Sequence, residues 1–72
     1  MKKIKKIKIR LNGKVKLIAE NSKIQSLIND YNIPIKKVAI ELNHKIIDKN
    51  TLEKIKLRNN DKIEIVHFIG GG

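Results

Sequence analysis

One short helical stripe limits how this chain can fold more than any other sequence feature. Between residues 23 and 31, apolar side chains recur at the spacing of one face of an α-helix, at Ile24, Leu27, Ile28 and Tyr31. We therefore predict one short helix with all four side chains in the core. Ser22 and Gln25 stand at the two positions of a capping box, and Asn32 and Pro34 end the helix. Because a single stripe covers one face of a sheet, the rest of the chain is expected to supply that sheet.

Residues 4–18 carry the pattern of a tight β-hairpin. Apolar residues at positions 7, 9 and 11 alternate with lysine and arginine, and Val15 and Leu17 resume the alternation after Asn12-Gly13. Asn and Gly both tolerate positive φ, so we predict a type I′ turn at these two residues. The alternative is a basic amphipathic helix on a membrane surface, which an Asn-Gly pair in mid-segment disfavours.

Strand-like alternation returns after the helix. Residues 38–42 predict a third strand, and residues 46–47 predict a short fourth strand. Residues 48–60 are predicted to form a loop with one helical turn at 51–54. Three apolar residues of this loop are expected to reach the core: Leu52, Ile55 and Leu57. From residue 61 onward the chain alternates again, which predicts the last strand.

This order of elements predicts an α+β fold of the β-grasp (ubiquitin-like) type, with a mixed sheet of four to five strands around one helix. A chain of 72 residues suits one small domain, so residues 1–72 are expected to fold as a single unit. If the last strand lies in the centre of the sheet, it gives a firm base to whatever follows it.

Few residue patterns point to catalysis. The chain has no cysteine, so it carries no thiol nucleophile, disulfide or persulfide of its own. Ser22 has no candidate base nearby, and neither His44 nor His67 has a second ligand at metal spacing, so we expect neither an active site nor a metal site. The aspartates at positions 30, 48 and 61 are expected to serve turns and helix ends. A GxxxxGK[ST] nucleotide-binding loop is absent from the sequence.

Charge raises another possibility. The chain has 17 basic and 7 acidic residues, and its formal net charge of +10 favours polyanions such as RNA or an acidic protein. RNA-binding surfaces stack bases on aromatic side chains, and this chain has only Tyr31 and Phe68. The lysine-rich start lacks the apolar segment of a signal peptide, and the apolar runs are too short to span a bilayer. We therefore expect a cytoplasmic protein with no membrane or nucleic-acid partner.

The last predicted strand runs into Gly70, Gly71 and Gly72. Glycine usually serves a turn, but no residue follows these three in the sequence. Three extended residues span about 10 Å, enough to carry a terminal carboxylate along a channel that is too narrow for any Cβ. The glycines are therefore predicted to act as a flexible tail, with a frayed terminus as the alternative.

The side-chain alternation of the last strand singles out two apolar residues. Ile63 and Ile65 are expected to pack on the helix, which places Val66 and Phe68 on the other face of the sheet. An exposed apolar pair beside a flexible tail would form a docking surface. Coverage of the pair by a loop or by the adjacent strand is an equally open alternative.

The segment DKIEIVHFIGGG at positions 61–72 resembles the ThiS family of ubiquitin-like sulfur carriers, and it is supported by Leu11-Asn12-Gly13-Lys14 at the first turn and by the short helix after Ser22. The resemblance covers essentially the whole length. A Gly-Gly end alone is shared by all carriers of this kind, whereas EIVHFIGGG is more particular to this family. The related molybdopterin carriers usually run longer and have a Pro-containing segment before the diglycine, which is absent here.

The resemblance implies that the Gly72 carboxylate is adenylated by the E1-like adenylyltransferase ThiF, which uses Mg-ATP. A sulfurtransferase or a cysteine desulfurase then supplies the sulfur of a thiocarboxylate, and the thiazole synthase ThiG takes this sulfur into the thiazole ring of thiamin. Gly70 and Gly71 would give an approach free of side chains, and Val66 and Phe68 would dock the partners. The chain would then be a recycled carrier, not an enzyme, with no cofactor of its own, and it is expected to be monomeric alone.

Three alternatives stay open at this stage. The same tail chemistry could deliver sulfur to molybdopterin or to tRNA thiolation, with a different acceptor. A ubiquitin-like modifier joined to lysines of other proteins would need the same terminus. A small basic RNA-binding domain would explain the charge without using the tail.

Overall fold

The computed structural model describes residues 5–68, and within them the chain forms five strands and one α-helix. In chain order these are β1 (Lys6–Leu11), β2 (Lys14–Ala19), α1 (Ile24–Asp30), β3 (Val38–Leu42), β4 (Lys45–Ile46) and β5 (Lys62–His67). Short 3₁₀ turns lie at Ile35–Lys37 and Lys49–Thr51. The order of strands and helix is the predicted one, and α1 begins and ends one residue inside the predicted range of 23–31.

The last strand occupies the centre of the sheet. The strands form one sheet in the order β2-β1-β5-β3-β4. Strand β5 is parallel to β1 and antiparallel to β3, whereas the β1–β2 and β3–β4 pairs are antiparallel. A mixed five-stranded sheet with one helix confirms the predicted β-grasp architecture, and the central place of β5 is confirmed with it.

The first hairpin has the predicted turn. Asn12 and Gly13 have φ values of 49° and 82°, and a positive φ at both positions defines the type I′ turn. The register, however, pairs Arg10 with Val15 and Lys8 with Leu17. A two-residue turn therefore places the apolar residues of β2 at positions 15 and 17 on the cationic face of β1, where they are exposed.

The core lies between α1 and one face of the sheet. Its buried apolar residues are Ile9, Ile24, Leu27, Ile28, Val38, Ile40, Leu52, Leu57, Ile63 and Ile65. Ile55 is partly buried against this core, so the predicted contribution of the 48–60 loop is confirmed at all three of its apolar positions. We refer to this helix-covered face as the inner face of the sheet and to the opposite one as the outer face.

The predicted capping box at the start of α1 is wrong. Ser22 Oγ donates instead to the carbonyl oxygen of Ala19 at 2.6 Å, and Gln25 Nε2 donates forward to Asn29 Oδ1 at 3.0 Å. The N-cap residue is Lys23, whose side chain makes no capping hydrogen bond.

The backbone of the 48–60 loop supplies the missing cap. The N–H of Ile24 donates to the carbonyl of Ile55 at 3.1 Å, and the N–H of Gln25 donates to the carbonyl of Leu52 at 3.2 Å. These bonds satisfy donors that have no partner inside a helix. Main-chain groups distant in sequence therefore replace the side-chain cap, which no local pattern could reveal.

Tyr31 is not a core residue, contrary to the prediction from the helical stripe. It has non-helical φ and ψ of −99° and 6°, because α1 ends one residue earlier, and the chain then turns at Asn32 with φ of 52°. Its side chain is 45% exposed, and Lys16 Nζ lies 5.5 Å from the ring centroid. The Tyr31 ring therefore lies at the edge of the core, and the Lys16 ammonium group of β2 lies over its face.

A helical turn forms at 51–54 as predicted, because the N–H of Lys54 donates to the carbonyl of Thr51 at 2.9 Å. The 3₁₀ turn forms at Lys49–Thr51, because Asp48 organises the chain at that point. Its Oδ1 accepts from the N–H of Asn50 at 2.8 Å, and its carbonyl accepts from Thr51 Oγ1 at 2.7 Å. The predicted turn-forming role of Asp48 is confirmed, and its 3₁₀ turn leads directly into the predicted helical turn.

Asn12 ties the hairpin turn to the central strand. Its backbone N–H donates to the carbonyl of Ile63 at 2.9 Å, and its Oδ1 accepts from the N–H of Ile65 at 2.7 Å. The Asn12 side chain therefore adds one hydrogen bond between the hairpin and β5 beyond the end of β1.

We expect three substitutions at Asn12 to separate its two roles. Asn12→Asp keeps the acceptor and the tolerance of positive φ, so its free energy of unfolding should stay close to that of the native chain. Asn12→Gly loses the acceptor for Ile65 and should be less stable by about 1–3 kcal/mol. Asn12→Ala should lose about 1–2 kcal/mol more, because alanine is strained at positive φ. Chemical denaturation measures all three, and equal stability of the Gly variant and the native chain would contradict this role.

Candidate functional site

Beyond Ile65, whose N–H donates to Asn12, strand β5 is held from the β3 side. Along β1, the strand pairs only at Lys62 and Ile63, opposite Arg10 and Leu11. Along β3 the pairing continues as far as His67, and the N–H of the next residue, Phe68, donates to the carbonyl of Lys37 at 2.9 Å. The chain therefore stays in the sheet up to the last residue that the structure describes. Gly70, Gly71 and Gly72 lie outside the described residues, so their predicted roles stay predictions.

The parity prediction for β5 is confirmed. Ile63 is fully buried and Ile65 is 9% exposed on the inner face, whereas Val66 and Phe68 are 47% and 53% exposed. The open question of whether a neighbouring element covers the pair is thereby settled in favour of exposure. Lys49 Nζ lies 5.3 Å from the centroid of the Phe68 ring, so the ring has a cation beside it and still keeps half of its surface in solvent.

Other apolar side chains continue this surface on the outer face. Ala39 on β3 lies directly opposite Val66. Ile46 on β4 pairs with Glu41 of β3 and is 77% exposed. We call Ala39, Ile46, Val66 and Phe68 the tail-proximal patch. A cluster of exposed apolar side chains on a small domain is typical of a protein contact surface.

Charged side chains flank the tail-proximal patch in an ordered way. Glu41 and Glu64 lie directly opposite each other on β3 and β5, two residues along the strands from the pair of Ala39 and Val66. Beyond them, away from residue 68, Lys62 pairs with Arg10. The outer face therefore changes along β5 from basic to acidic and then to apolar.

The remaining candidate groups serve local structure. Asp61 Oδ2 accepts from the N–H of Arg58 at 2.7 Å, and its Oδ1 accepts from Asn43 Nδ2 at 3.0 Å, as expected of an aspartate in a turn. His44 occupies the β3–β4 turn with φ of 71°, and His67 is exposed at the end of β5.

Within residues 5–68, no group of three or more metal-binding side chains comes together. In the same part of the chain, α1 is too short and too polar to cross a membrane.

Four members of this site escaped the sequence analysis, namely Ala39, Glu41, Ile46 and Glu64, and Ile46 joins the others through its pairing with Glu41. Their side chains belong to alternating strands, which the sequence showed, but their juxtaposition depends on the β3–β5 register. Register between strands separated by 20 residues or so is set by tertiary packing and leaves no local signal.

Two thiazole synthases carry a segment similar to this chain. The protein from Paramagnetospirillum magneticum is 32% identical over 66 residues, which cover 92% of this chain and 20% of the synthase. The thiazole synthase from Magnetococcus marinus is 35% identical over 66 residues, again with 20% of its length covered. A fifth of each synthase therefore corresponds to nearly all of this chain.

Comparison with smaller proteins identifies the family. The sulfur carrier protein ThiS of Bacillus subtilis is 43% identical over 65 residues, covering 89% of this chain and 98% of that protein. The crystal structure of the thiamine biosynthesis protein ThiS from Geobacter metallireducens superposes with a TM-score of 0.81 at 23% identity, covering 92% of this chain and 100% of that one, which supports the fold. The ThiS family model matches residues 9–72. The chain therefore belongs to the ThiS family.

Proposed function

We propose that this chain is the sulfur carrier of thiamin biosynthesis, with the C-terminal carboxylate of Gly72 as the group that carries sulfur. The observation that carries the proposal is the family match, which runs to Gly72 and is joined by 43% identity to a sulfur carrier over nearly its whole length. Membership of this family makes the chain a small carrier protein and not an enzyme.

The chemistry needs activation, because a carboxylate is a poor electrophile at neutral pH. In the proposed sequence, a carboxylate oxygen of Gly72 attacks the α-phosphate of Mg-ATP held by the ThiF-type partner, and pyrophosphate leaves. The terminal sulfur of a persulfide on a sulfurtransferase or cysteine desulfurase then displaces AMP. This step forms a C–S bond to the Gly72 carbonyl carbon, and a thiol then cleaves the S–S bond inherited from the persulfide, which leaves a thiocarboxylate on the carrier and a disulfide on the partner side. Because the chain has no cysteine, the transferred sulfur is bound covalently to the terminal carbonyl carbon and not to a thiol.

The shape of the terminus supports delivery into a partner's active site. Gly70, Gly71 and Gly72 lack a Cβ, so the main chain can enter a channel that excludes every other residue type. Strand β5, paired on both sides at its start and with β3 up to residue 67, gives this tail a fixed origin. Docking would fall to Val66 and Phe68 on the tail-proximal patch.

The thiazole synthases favour thiazole as the destination of the sulfur. Two proteins named thiazole synthase contain a segment similar to nearly all of this chain, so a segment of this kind and a thiazole synthase occur in one polypeptide. We therefore propose a ThiG-type synthase as the acceptor partner, in preference to a molybdopterin or tRNA-thiolation enzyme. A cytoplasmic location and a monomeric state of the free chain are parts of the same proposal.

Intact-mass analysis after incubation with ThiF, Mg-ATP and a sulfur source tests the central step. We expect the mass to rise by the difference between sulfur and oxygen, with fragmentation placing the change on Gly72. A chain that lacks Gly72 should show no change. Adenylation without any sulfur transfer to a ThiG-type synthase, but with transfer to a molybdopterin or tRNA-thiolation enzyme, would move the chain to another pathway.

Substitution of Gly71 tests the channel. Gly71→Val should abolish adenylation, because its branched side chain cannot follow the main chain into the partner. The thermal unfolding midpoint should stay unchanged, because the last buried apolar residue of the described chain is Ile65. Gly71→Ala, with the smallest Cβ, is the matched variant and should retain part of the activity. Full activity of the Val variant would contradict the threading mechanism.

Substitutions on the two faces of β5 separate docking from folding. We expect Val66→Thr and Phe68→Ser to change the free energy of unfolding by less than about 1 kcal/mol, because both side chains are half exposed. Both variants should raise the KM for the carrier in the ThiF reaction. Ile65→Ala, one residue away on the inner face, should cost about 2–5 kcal/mol of stability. A KM equal to that of the native chain would remove Val66 and Phe68 from the docking surface.

A further inference from the structure

The outer face of the sheet is divided into two zones of opposite charge. Lys6, Lys8, Arg10 and Lys62 form a basic zone on β1 and on the start of β5, and all four are exposed. Glu41 and Glu64 form an acidic zone beside the tail-proximal patch. The row of Arg10 and Lys62 lies two residues from the row of Glu64 and Glu41, or about 7 Å along the strands.

The acidic zone is not explained by the stability of the domain. Side chains directly opposite each other on neighbouring strands are about 5 Å apart at Cβ, and like charges at such positions are destabilising. Glu41 has Glu64 on one side and the apolar Ile46 on the other. Placing two of only 7 acidic residues together, in a chain that has 17 basic ones, runs against the composition of the whole chain.

The surroundings of the acidic zone indicate a protein as its partner, not a metal ion. No third ligand accompanies the two carboxylates within the part of the chain that the structure describes. Exposed apolar side chains flank the carboxylates on two sides, with Ile46 beside Glu41 and Val66 toward the tail, while the basic zone lies about 7 Å away on the side of Lys62. A cationic side chain set in an apolar contact surface would match both features, because two carboxylates can accept the several donors of one guanidinium.

We propose that the outer sheet face orients this carrier on its adenylating partner through two complementary charge contacts. The partner presents an arginine or lysine to Glu41 and Glu64, close to the entrance that receives the tail, and carboxylates to the basic zone farther away. The apolar side chains of the tail-proximal patch are covered on the tail side of the acidic contact. This inference rests on the proposed function and adds to it the chemistry of the partner's surface.

The order of the zones determines the direction of docking. If the carrier were rotated by half a turn in the plane of the sheet, its basic zone would face the partner's cation and its carboxylates would face the partner's acidic groups. Such like-charge contacts disfavour the wrong orientation, and long-range attraction speeds the encounter in the right one. The tail would thereby reach the entrance without needing any side chain of its own for guidance.

Paired neutral variants test the two zones. For the acidic zone we compare Glu41→Gln/Glu64→Gln with Asp30→Asn/Glu53→Gln, whose exposed carboxylates lie on α1 and in the 48–60 loop. Binding to ThiF is measured by calorimetry and by stopped flow, and stability by thermal unfolding. The outer-face variant should bind about tenfold more weakly, with faster dissociation, while its unfolding midpoint stays equal or rises. The control variant should bind within about twofold of the native chain.

For the basic zone we compare Lys8→Gln/Arg10→Gln with Lys23→Gln/Lys54→Gln, which removes the same charge from residues outside the sheet. The outer-face variant should associate several-fold more slowly at low salt, and the difference should disappear at high salt, where screening is strong. The control should show a smaller change at both salt concentrations.

Several outcomes would overturn the inference. Native affinity in the acidic-zone variant would do so, as would equal effects of each outer-face variant and its control. Binding of RNA that depends on Lys8 and Arg10, without any effect of these residues on ThiF, would assign the basic zone to another partner. A native chain that ThiF adenylates at Gly72 leaves the proposed function standing in each of these cases, whereas absence of adenylation of the native chain refutes that function itself.

Discussion

The position of β5 between β1 and β3 is the constraint on which the rest of this structure depends. Strand β5 pairs in parallel with β1, near the start of the chain, and antiparallel with β3, in its middle. The mixed sheet is therefore complete only when β5 lies between these two strands. Ile63 on this strand is fully buried and has Leu11 on one side and Leu42 on the other. Burial of a side chain of this kind contributes about 1.5–3 kcal/mol. The strand that leads to the proposed sulfur-carrying terminus is thus also the strand that completes the core.

The two faces of β5 separate the core from the proposed docking surface. Inward-facing isoleucines pack against α1, while Glu64 and Val66 point to the uncovered face together with their partners on β3. Because side chains alternate along a strand, substitutions on one face leave the other almost untouched. A protein of this size can therefore change its partner surface residue by residue without losing its core.

Local pattern was sufficient for most of the fold. The alternation in β1 and β3, the Asn-Gly turn and the apolar spacing of α1 each predicted an element that the structure contains. Prediction failed where contacts distant in sequence decide the outcome. The cap of α1 comes from loop carbonyls and not from Ser22, and Tyr31 leaves the stripe because the helix ends before it.

The candidate site was predictable to a similar degree and for similar reasons. Parity along β5 identified Val66 and Phe68, because alternation is a property of a single strand. The pairing of Glu41 with Glu64 depends on the register between β3 and β5, and no local sequence pattern predicts that register. Resemblance to a family supplied the role of Gly72, which no side-chain pattern could have done.

The backbone cap of α1 has a consequence for sequence drift in the 48–60 loop. The acceptors at Leu52 and Ile55 are carbonyl oxygens, which every amino acid possesses, so exchange of side chains cannot delete them. What the loop must preserve is its path, and that path is secured by the two leucines it buries at positions 52 and 57. We therefore expect homologous loops to vary widely in amino-acid sequence while keeping the same length and two buried apolar residues.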